Sequence, residues 1–491
     1  MAAEMTRRSL LGSALAGAVA APLGARTSQN GHAAPEELVL QLEAEVDRLA
    51  REEDFQGVVR LARGGEPLLH KAWGHADRGN LVPNRIDTRF DIASVGKLFT
   101  SLAVMRLVAS GKLALDQTLA SAWPDYPNPQ AGAATIAQLL SHSAGLGNHH
   151  SLMPAYTGPP LLTNHDYFRL IAQEPLQQPP GQGFAYSNSG YVVLALLLER
   201  ITDEPFFDHV RRTIWQPLGM ADTGPLRMDF AQPRLARGYI RAPGAPGQWQ
   251  LNLDPRMPIG TAFGGVVSTA ADLGRFGQAM AAGALLPPRW MAEWSRGRFP
   301  YHRGSYGLGC SEVVIEGKRI IGHSGGHPGV VAELMVWPEL GLDLSIVANT
   351  EPDCYFALVA FAKQATLGTD DISRNHDFTR SVVQAFLAGG AQQATSLLAR
   401  KPEGVRLGQG LVDLLANREL HRGNIKAGLG LLRFNVESFP QSPDPLWSLA
   451  EALRHNGERA AATAAYREYL ARVPDDADAL RWIGILEGSG E

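Results

Sequence analysis

The chain has 491 residues, of which 19% are charged and 45% hydrophobic, with a net charge of −4. That composition is globular, and the length suffices for two or three domains around a large core. The near-balanced charge and the lack of long basic runs exclude nucleic acid as the natural partner.

At the N-terminus, Thr6-Arg7-Arg8-Ser9-Leu10-Leu11 precedes a mild Ala/Gly/Leu run over 10–21 and then Pro22. This resembles a twin-arginine export signal, with Leu10 where Phe is more usual; the alternative is an ordinary secretory signal with an accidental Arg pair. Either reading makes residues 1–34 a leader, cleaved somewhere between Ala20 and Ala34, and the mature protein exported to the periplasm or beyond. The run is too short to span a bilayer comfortably, and no later segment is apolar for about 18 residues. Cys310 and Cys354 could pair in an exported protein, but two scattered cysteines are no disulfide framework, and buried thiols fit better.

Residues 36–51 have the spacing of an amphipathic helix, and 57–61 and 67–73 read as strands joined around Gly64-Gly65. Residues 91–100, Asp-Ile-Ala-Ser-Val-Gly-Lys-Leu-Phe-Thr, then open an apolar run through Leu102, Val104, Met105, Leu107 and Val108. The run is apolar on almost every face, so it predicts a helix buried between layers, with Gly111 just past its end. Ser94 and Lys97 lie one turn apart on one side of it, where hydroxyl and amine can meet and a serine can become a nucleophile. By itself the pair also fits a helix N-cap and a solvated lysine.

Residues 135–146 predict a helix closing at Gly145, followed by a loop over 147–160. His142, His149 and His150 invite a metal reading, but no acidic or His partner stands at helical spacing, and His142 fits a buried, hydrogen-bonded structural residue better. Tyr186 and Asn188 follow a Pro/Gly-rich turn and lead into a helix over 192–201, a usual setting for functional side chains. Residues 234–258 are rich in Pro, Gly and Arg and suit a lid or wall loop, or equally a plain surface excursion. Ser268 or Thr269 caps a helix running to Ala282. From Tyr306 the period becomes that of strands, at 311–315, 319–323, 330–336 and 343–349, with turns at Gly317, 325–329 and 338–341; a helix over 355–365 follows. Strands at both ends of a helical middle predict a sheet closed by both termini of the domain.

The tail has its own rhythm. Gly389, Gly423 and Gly457 stand 34 residues apart, as do Pro440 and Pro474, and Val412, Leu446 and Leu480. That period, with helix–turn–helix patterning, resembles tetratricopeptide repeats: two fair copies, a degenerate one before them and a last single helix. The linker falls at about 368–377.

Taken in order, Ser94-Val-Gly-Lys97, Tyr186-Ser-Asn188 and His323-Ser324-Gly325 resemble the serine β-lactamase-like family. That family groups class C β-lactamases, D-alanyl-D-alanine carboxypeptidases and related esterases, and the likeness covers roughly 36–366. It implies an α/β (α+β) fold, an antiparallel sheet flanked by helices beside an all-helical subdomain, over residues 35–367, with the helical repeats over 378–491. Carried over, it makes Ser94 the nucleophile of an acyl-enzyme, with Lys97 and Tyr186 sharing its proton. Asn188, His323, Ser324, Gly325 and Gly326 would bind substrate, the backbone N–H groups of Ser94 and Gly326 forming the oxyanion hole. No metal or organic cofactor is implied. Class C β-lactamases typically carry Lys where this chain has His323, so a histidine only partly charged near neutrality is expected there. That departure favours a peptidase or esterase acting on D-amino-acid peptides or small esters. The alternatives are a β-lactamase, or a penicillin-recognising binding protein without turnover that holds a protein partner on its helical repeats.

Overall fold

The computed structural model describes residues 35–52, 54–149, 152, 156–229, 231–242, 245–252, 259–301, 304–315, 317–350, 358–359, 361–362 and 371–488. The leader, His150 and Cys354 lie outside these residues, as does most of the helix expected over 355–365. Two compact units divide the chain: one holds 35–239 and 251–352, the other 240–250 with the chain from 353 onward.

The first unit is built on an eight-stranded antiparallel sheet. Its order across the sheet is Phe299–Tyr301, Gly304–Tyr306, Ser311–Ile315, Lys318–His327, Val330–Trp337, Leu342–Ala348, Gly57–Arg63 and Glu66–Trp73. The N-terminal strand pairs with the last one, Gly57 opposite Ala348 and Arg63 opposite Leu342, so both ends of the domain do close the sheet. Gly64 and Gly65, with φ of 57° and 89°, make the hairpin turn where a side chain would be strained. The central strands Val330–Trp337 and Leu342–Ala348 are buried along their whole length, because helices cover one face and other elements the second.

Helix Lys97–Ala109 is the axis of the helical part. Every residue except Arg106 and Ala109 is buried, and its apolar side chains join one large core with the helix Asn188–Thr202. Each fully buried Leu or Phe on it contributes roughly 1.5–3 kcal/mol over an exposed one. Gly111, with φ of 75°, follows the helix end as expected. Thr269 accepts from the Asp272 N–H and caps Ala270–Ala281.

Two expectations need correction, and two short strands are additions. The helix over 135–146 stops at Leu140: Ser141 bonds back to the Ala137 carbonyl, and His142 turns to φ 56°, bringing its ring inward. The strand expected to end at His323 runs on to His327, since Gly325 and Gly326 pair with Ala332 and Val331; the turn is Pro328-Gly329. Two short strands before Ser311 carry no strong alternation and escape sequence reading, although Tyr306 in the second is buried.

In the second unit, helix Asp371–Leu398, broken at Gly389 and Gly390, precedes helices Gln409–His421, Ile425–Ser438, Asp444–His455, Arg459–Leu470 and Ala477–Gly488. Gly423 and Gly457, with φ of 82° and 79°, end the first helix of each pair, and the second helices open 34 residues apart, at Ile425 and Arg459. Leu415, Leu432, Leu449 and Tyr466 fill a continuous core along the stack. Residues 240–250 belong to this unit, with Trp249 edge-on to His421 at 5.1 Å and the Gly247 N–H donating to the His421 carbonyl. The helix beginning at Asp371 occupies most of the stretch expected to be a linker.

Candidate active site

Ser94 sits in a single 3-10 turn, Ala93–Gly96, that feeds directly into helix Lys97–Ala109. Ala93 takes φ 44°, a conformation costly for a residue with a side chain and of the kind found at functional turns. The turn is held by the Ala93 N–H donating to Asp91 Oδ1 at 2.8 Å and the Ile92 N–H to the Val266 carbonyl at 2.9 Å.

Lys97 is wholly buried, and its Nζ has three close neighbours: Ser94 Oγ at 3.0 Å, Asn188 Oδ1 at 2.7 Å and the Phe263 carbonyl at 2.6 Å. Asn188 is the first residue of its helix, just inside the Ser187 cap, and its amide donates to Asn148 Oδ1. Desolvation of the amine drives its pKa well below that of a free lysine. Tyr186 stands over this group: its ring centroid is 4.9 Å from Nζ, and its hydroxyl faces Ser94. Burial, reinforced by Tyr301, pushes the phenol well above its ordinary value despite that neighbour, so it keeps its proton.

The strand Lys318–His327 closes the other side. A Cβ on Gly325 would stand 2.4 Å from the Ile92 carbonyl oxygen and 2.8 Å from the Ser94 nitrogen, so only glycine lets the strand approach the turn this closely. Gly326, one residue on, is exposed, and Ser324 is half-buried.

His323 corrects an expectation. It is 2% exposed, with Nδ1 against the Ser324 carbonyl and Nε2 2.9 Å from the Tyr306 hydroxyl. Only an N–H can bond a carbonyl, so Nδ1 carries the proton and Nε2 accepts from Tyr306. Burial, with the neighbouring Lys97, lowers its pKa to about 3. The partly charged histidine expected near neutrality is therefore a neutral, internal one, engaged at both nitrogens. His142 is also internal. Its Nδ1 accepts from the Ser187 N–H, its Nε2 has no partner among the described residues, and its ring lies 4.2 Å from that of Tyr186. No sequence signal marks the Phe263 carbonyl, Tyr306 or Asn148. Backbone acceptors and buried tyrosines leave no spacing signature.

A serine in hydrogen-bond reach of a desolvated lysine and a protonated tyrosine, on a turn between an antiparallel sheet and a helical layer, defines a serine hydrolase of the penicillin-recognising kind. The chain belongs to the β-lactamase family, whose model matches residues 42–365. It is 27% identical over 327 residues to a penicillin-binding protein of Bacillus subtilis, spanning 62% of this chain and 71% of that one. It is 37% identical over 202 residues to the esterase EstB of Burkholderia gladioli, covering 38% of this chain and only about half (51%) of the esterase. Among solved structures, the D-amino acid amidase of Ochrobactrum anthropi, complexed with L-phenylalanine amide, is 27% identical with a TM-score of 0.57, over 67% of this chain and 98% of the amidase.

Proposed function

We propose that the protein is an exported serine hydrolase acting through an acyl-enzyme on small esters and D-amino-acid amides or peptides, with Ser94 as nucleophile, Lys97 as base and Tyr186 as proton donor to the leaving group. The observation that carries this reading is the set of three contacts of the Lys97 amine. A neutral amine has two N–H donors and one lone pair. The Asn188 Oδ1 and the Phe263 carbonyl take the two donors, leaving the lone pair for the Ser94 hydroxyl proton. Ser94 Oγ attacks the substrate carbonyl carbon as its proton passes to Nζ. The oxyanion is received by the N–H groups of Ser94 and Gly326. Collapse expels the alcohol or amine with the Tyr186 proton, Lys97 returns its proton to Tyr186, and water repeats the cycle to release the acid.

A neutral His323 leaves its strand position without the fixed charge of a lysine, which supports uncharged esters and amides over β-lactams and other carboxylates. The similarity to an esterase and a D-amino acid amidase points the same way. The N-terminal Arg pair supports export, and the 34-residue period supports a tetratricopeptide-like tail over 378–491 that holds a protein partner. In that case a chain ending near residue 371 keeps its hydrolytic activity. The main test is intact-mass spectrometry and turnover with a p-nitrophenyl ester, D-phenylalanine amide and a penicillin, comparing wild type with Ser94→Ala. Turnover of ester or amide that the variant lacks supports the reading. A stable penicillin adduct with no turnover of any substrate would make the protein a receptor instead.

A further inference from the structure

We infer that His327 is a positioning residue for the reaction, acting through Asp91 to fix the spacing between the two elements that carry the oxyanion N–H groups. The inference rests on the proposed acyl-enzyme reading. Those two N–H groups belong to segments far apart in sequence: Ser94 on the turn Ala93–Gly96, and Gly326 on the strand Lys318–His327. Gly325 allows their close approach but, having no side chain, cannot hold it. One side-chain bridge between them does. Asp91 Oδ1 accepts from the Ala93 N–H, the residue whose φ of 44° sets the direction of Ser94, and Asp91 Oδ2 meets His327 Nε2 at 2.9 Å.

The carboxylate thus has one oxygen on the strained turn and the other on the end of the strand, directly after Gly326. Beyond the imidazole ring, the Asn252 amide donates to the Pro328 carbonyl and ties down the turn that follows the strand. Burial opposes a charge on this ring, but the hydrogen bond to Asp91 and its negative charge outweigh that and raise its pKa. The contact is therefore charge-assisted, and stiffer than a neutral hydrogen bond. Since an oxyanion donor acts only when about 2.7–3.1 Å from the developing charge, a bridge that sets the separation of the two donors acts on the transition state more than on bound substrate.

The test compares wild type, His327→Ala and His327→Gln in full-length protein. The readouts are steady-state hydrolysis of p-nitrophenyl butyrate, inhibition by phenylboronic acid, whose tetrahedral Ser94 adduct directs an oxygen at the same N–H groups, and Tm. We expect His327→Ala to lose roughly tenfold to a hundredfold in kcat, less than deletion of a whole donor, with KM within about twofold. The boronate should weaken in parallel. His327→Gln, which can still donate to Asp91, should recover a large part of both. Unchanged kcat in His327→Ala overturns the inference alone. So does a loss shared equally by Ala and Gln with a lowered Tm, which would make the residue merely structural. A wild type with no Ser94-dependent turnover overturns the acyl-enzyme reading and this inference with it.

Discussion

Gly325→Ala is the sharpest perturbation of this site. The new methyl carbon would stand 2.4 Å from the Ile92 carbonyl oxygen and 2.8 and 2.9 Å from the Ser94 and Val95 nitrogens. Carbon–oxygen contacts settle near about 3.3 Å, so turn and strand must part by about 0.9 Å. The obstacles are all backbone, and the strand is tied behind by its pairing of Gly325 with Ala332, so no side chain can rotate away. An oxyanion donor moved that far leaves hydrogen-bonding range, and losing one donor costs about 10²–10³ in kcat. The strain should cost about 1–3 kcal/mol of stability, lowering Tm by roughly 2–4 °C per kcal/mol. Gly326→Ala is the control, because its methyl meets only the Val330 carbonyl, at 3.1 Å, which a small shift relieves. Hydrolysis of p-nitrophenyl butyrate and thermal unfolding, measured on both variants, test this. If Gly325→Ala keeps more than a tenth of wild-type kcat while folded, the closeness of strand and turn does not matter to the chemistry and the reasoning fails.

Other consequences concern charge. Since desolvation holds the Lys97 pKa well below that of a free lysine, its free-base form persists to lower pH than an exposed amine's, and kcat/KM should fall as acid protonates it; Lys97→Ala should lose about 10²–10⁴ in rate and that limb of the profile. A Lys97→Ala enzyme with the same acid limb would assign the titration elsewhere. His323, lowered to about 3, should contribute no inflection between pH 5 and 9, so His323→Gln should leave the shape of the rate profile there unchanged, whatever its height; a lost inflection would show that the ring titrates after all. The Arg60–Asp343 pair is buried, at 2.6 Å, and Arg60→Ala should destabilise by about 3–5 kcal/mol in urea unfolding at pH 7.5. Burial raises Asp343 to about 6, so its protonated form favours folding. That contribution is complete below about pH 4 and gone above about 6. The penalty of Arg60→Ala should therefore shrink at pH 4.5, and an equal penalty at both pH values would refute the assignment.

What could be read from sequence was whatever repeats locally or brings its own chemistry. The apolar run after Lys97, the Gly64-Gly65 hairpin, the Thr269 cap and the 34-residue step in the tail each leave a periodic or positional mark, and each has its counterpart in the structure. Ser94 and Lys97 were bound to meet because a turn of helix separates them, and they do so at 3.0 Å. What sequence could not give was direction and dielectric. Nothing in the letters around His323 says that its ring turns to Tyr306 and loses its charge. Nothing around Asp91 and His327, separated by the whole helical layer, says that they touch. Those facts belong to long-range packing, which shifts pKa values and aims side chains without altering local pattern.

Helix Lys97–Ala109, enclosed on nearly every side, makes the catalytic apparatus a gauge of the entire unit. Its amide protons can exchange with solvent only when the surrounding core opens, so they belong with the slowest-exchanging group of the domain. Ser94 rides on the 3-10 turn that feeds that helix and has no route to local disorder that spares the core. Loss of hydrolysis in rising denaturant should then coincide with loss of tertiary signal from the buried Trp215 and Trp294, rather than precede it as when an active site lies on a floppy rim. Substrate preference can drift through exposed loops without touching this helix, whereas a substitution within it is felt first as a change in how much protein is folded.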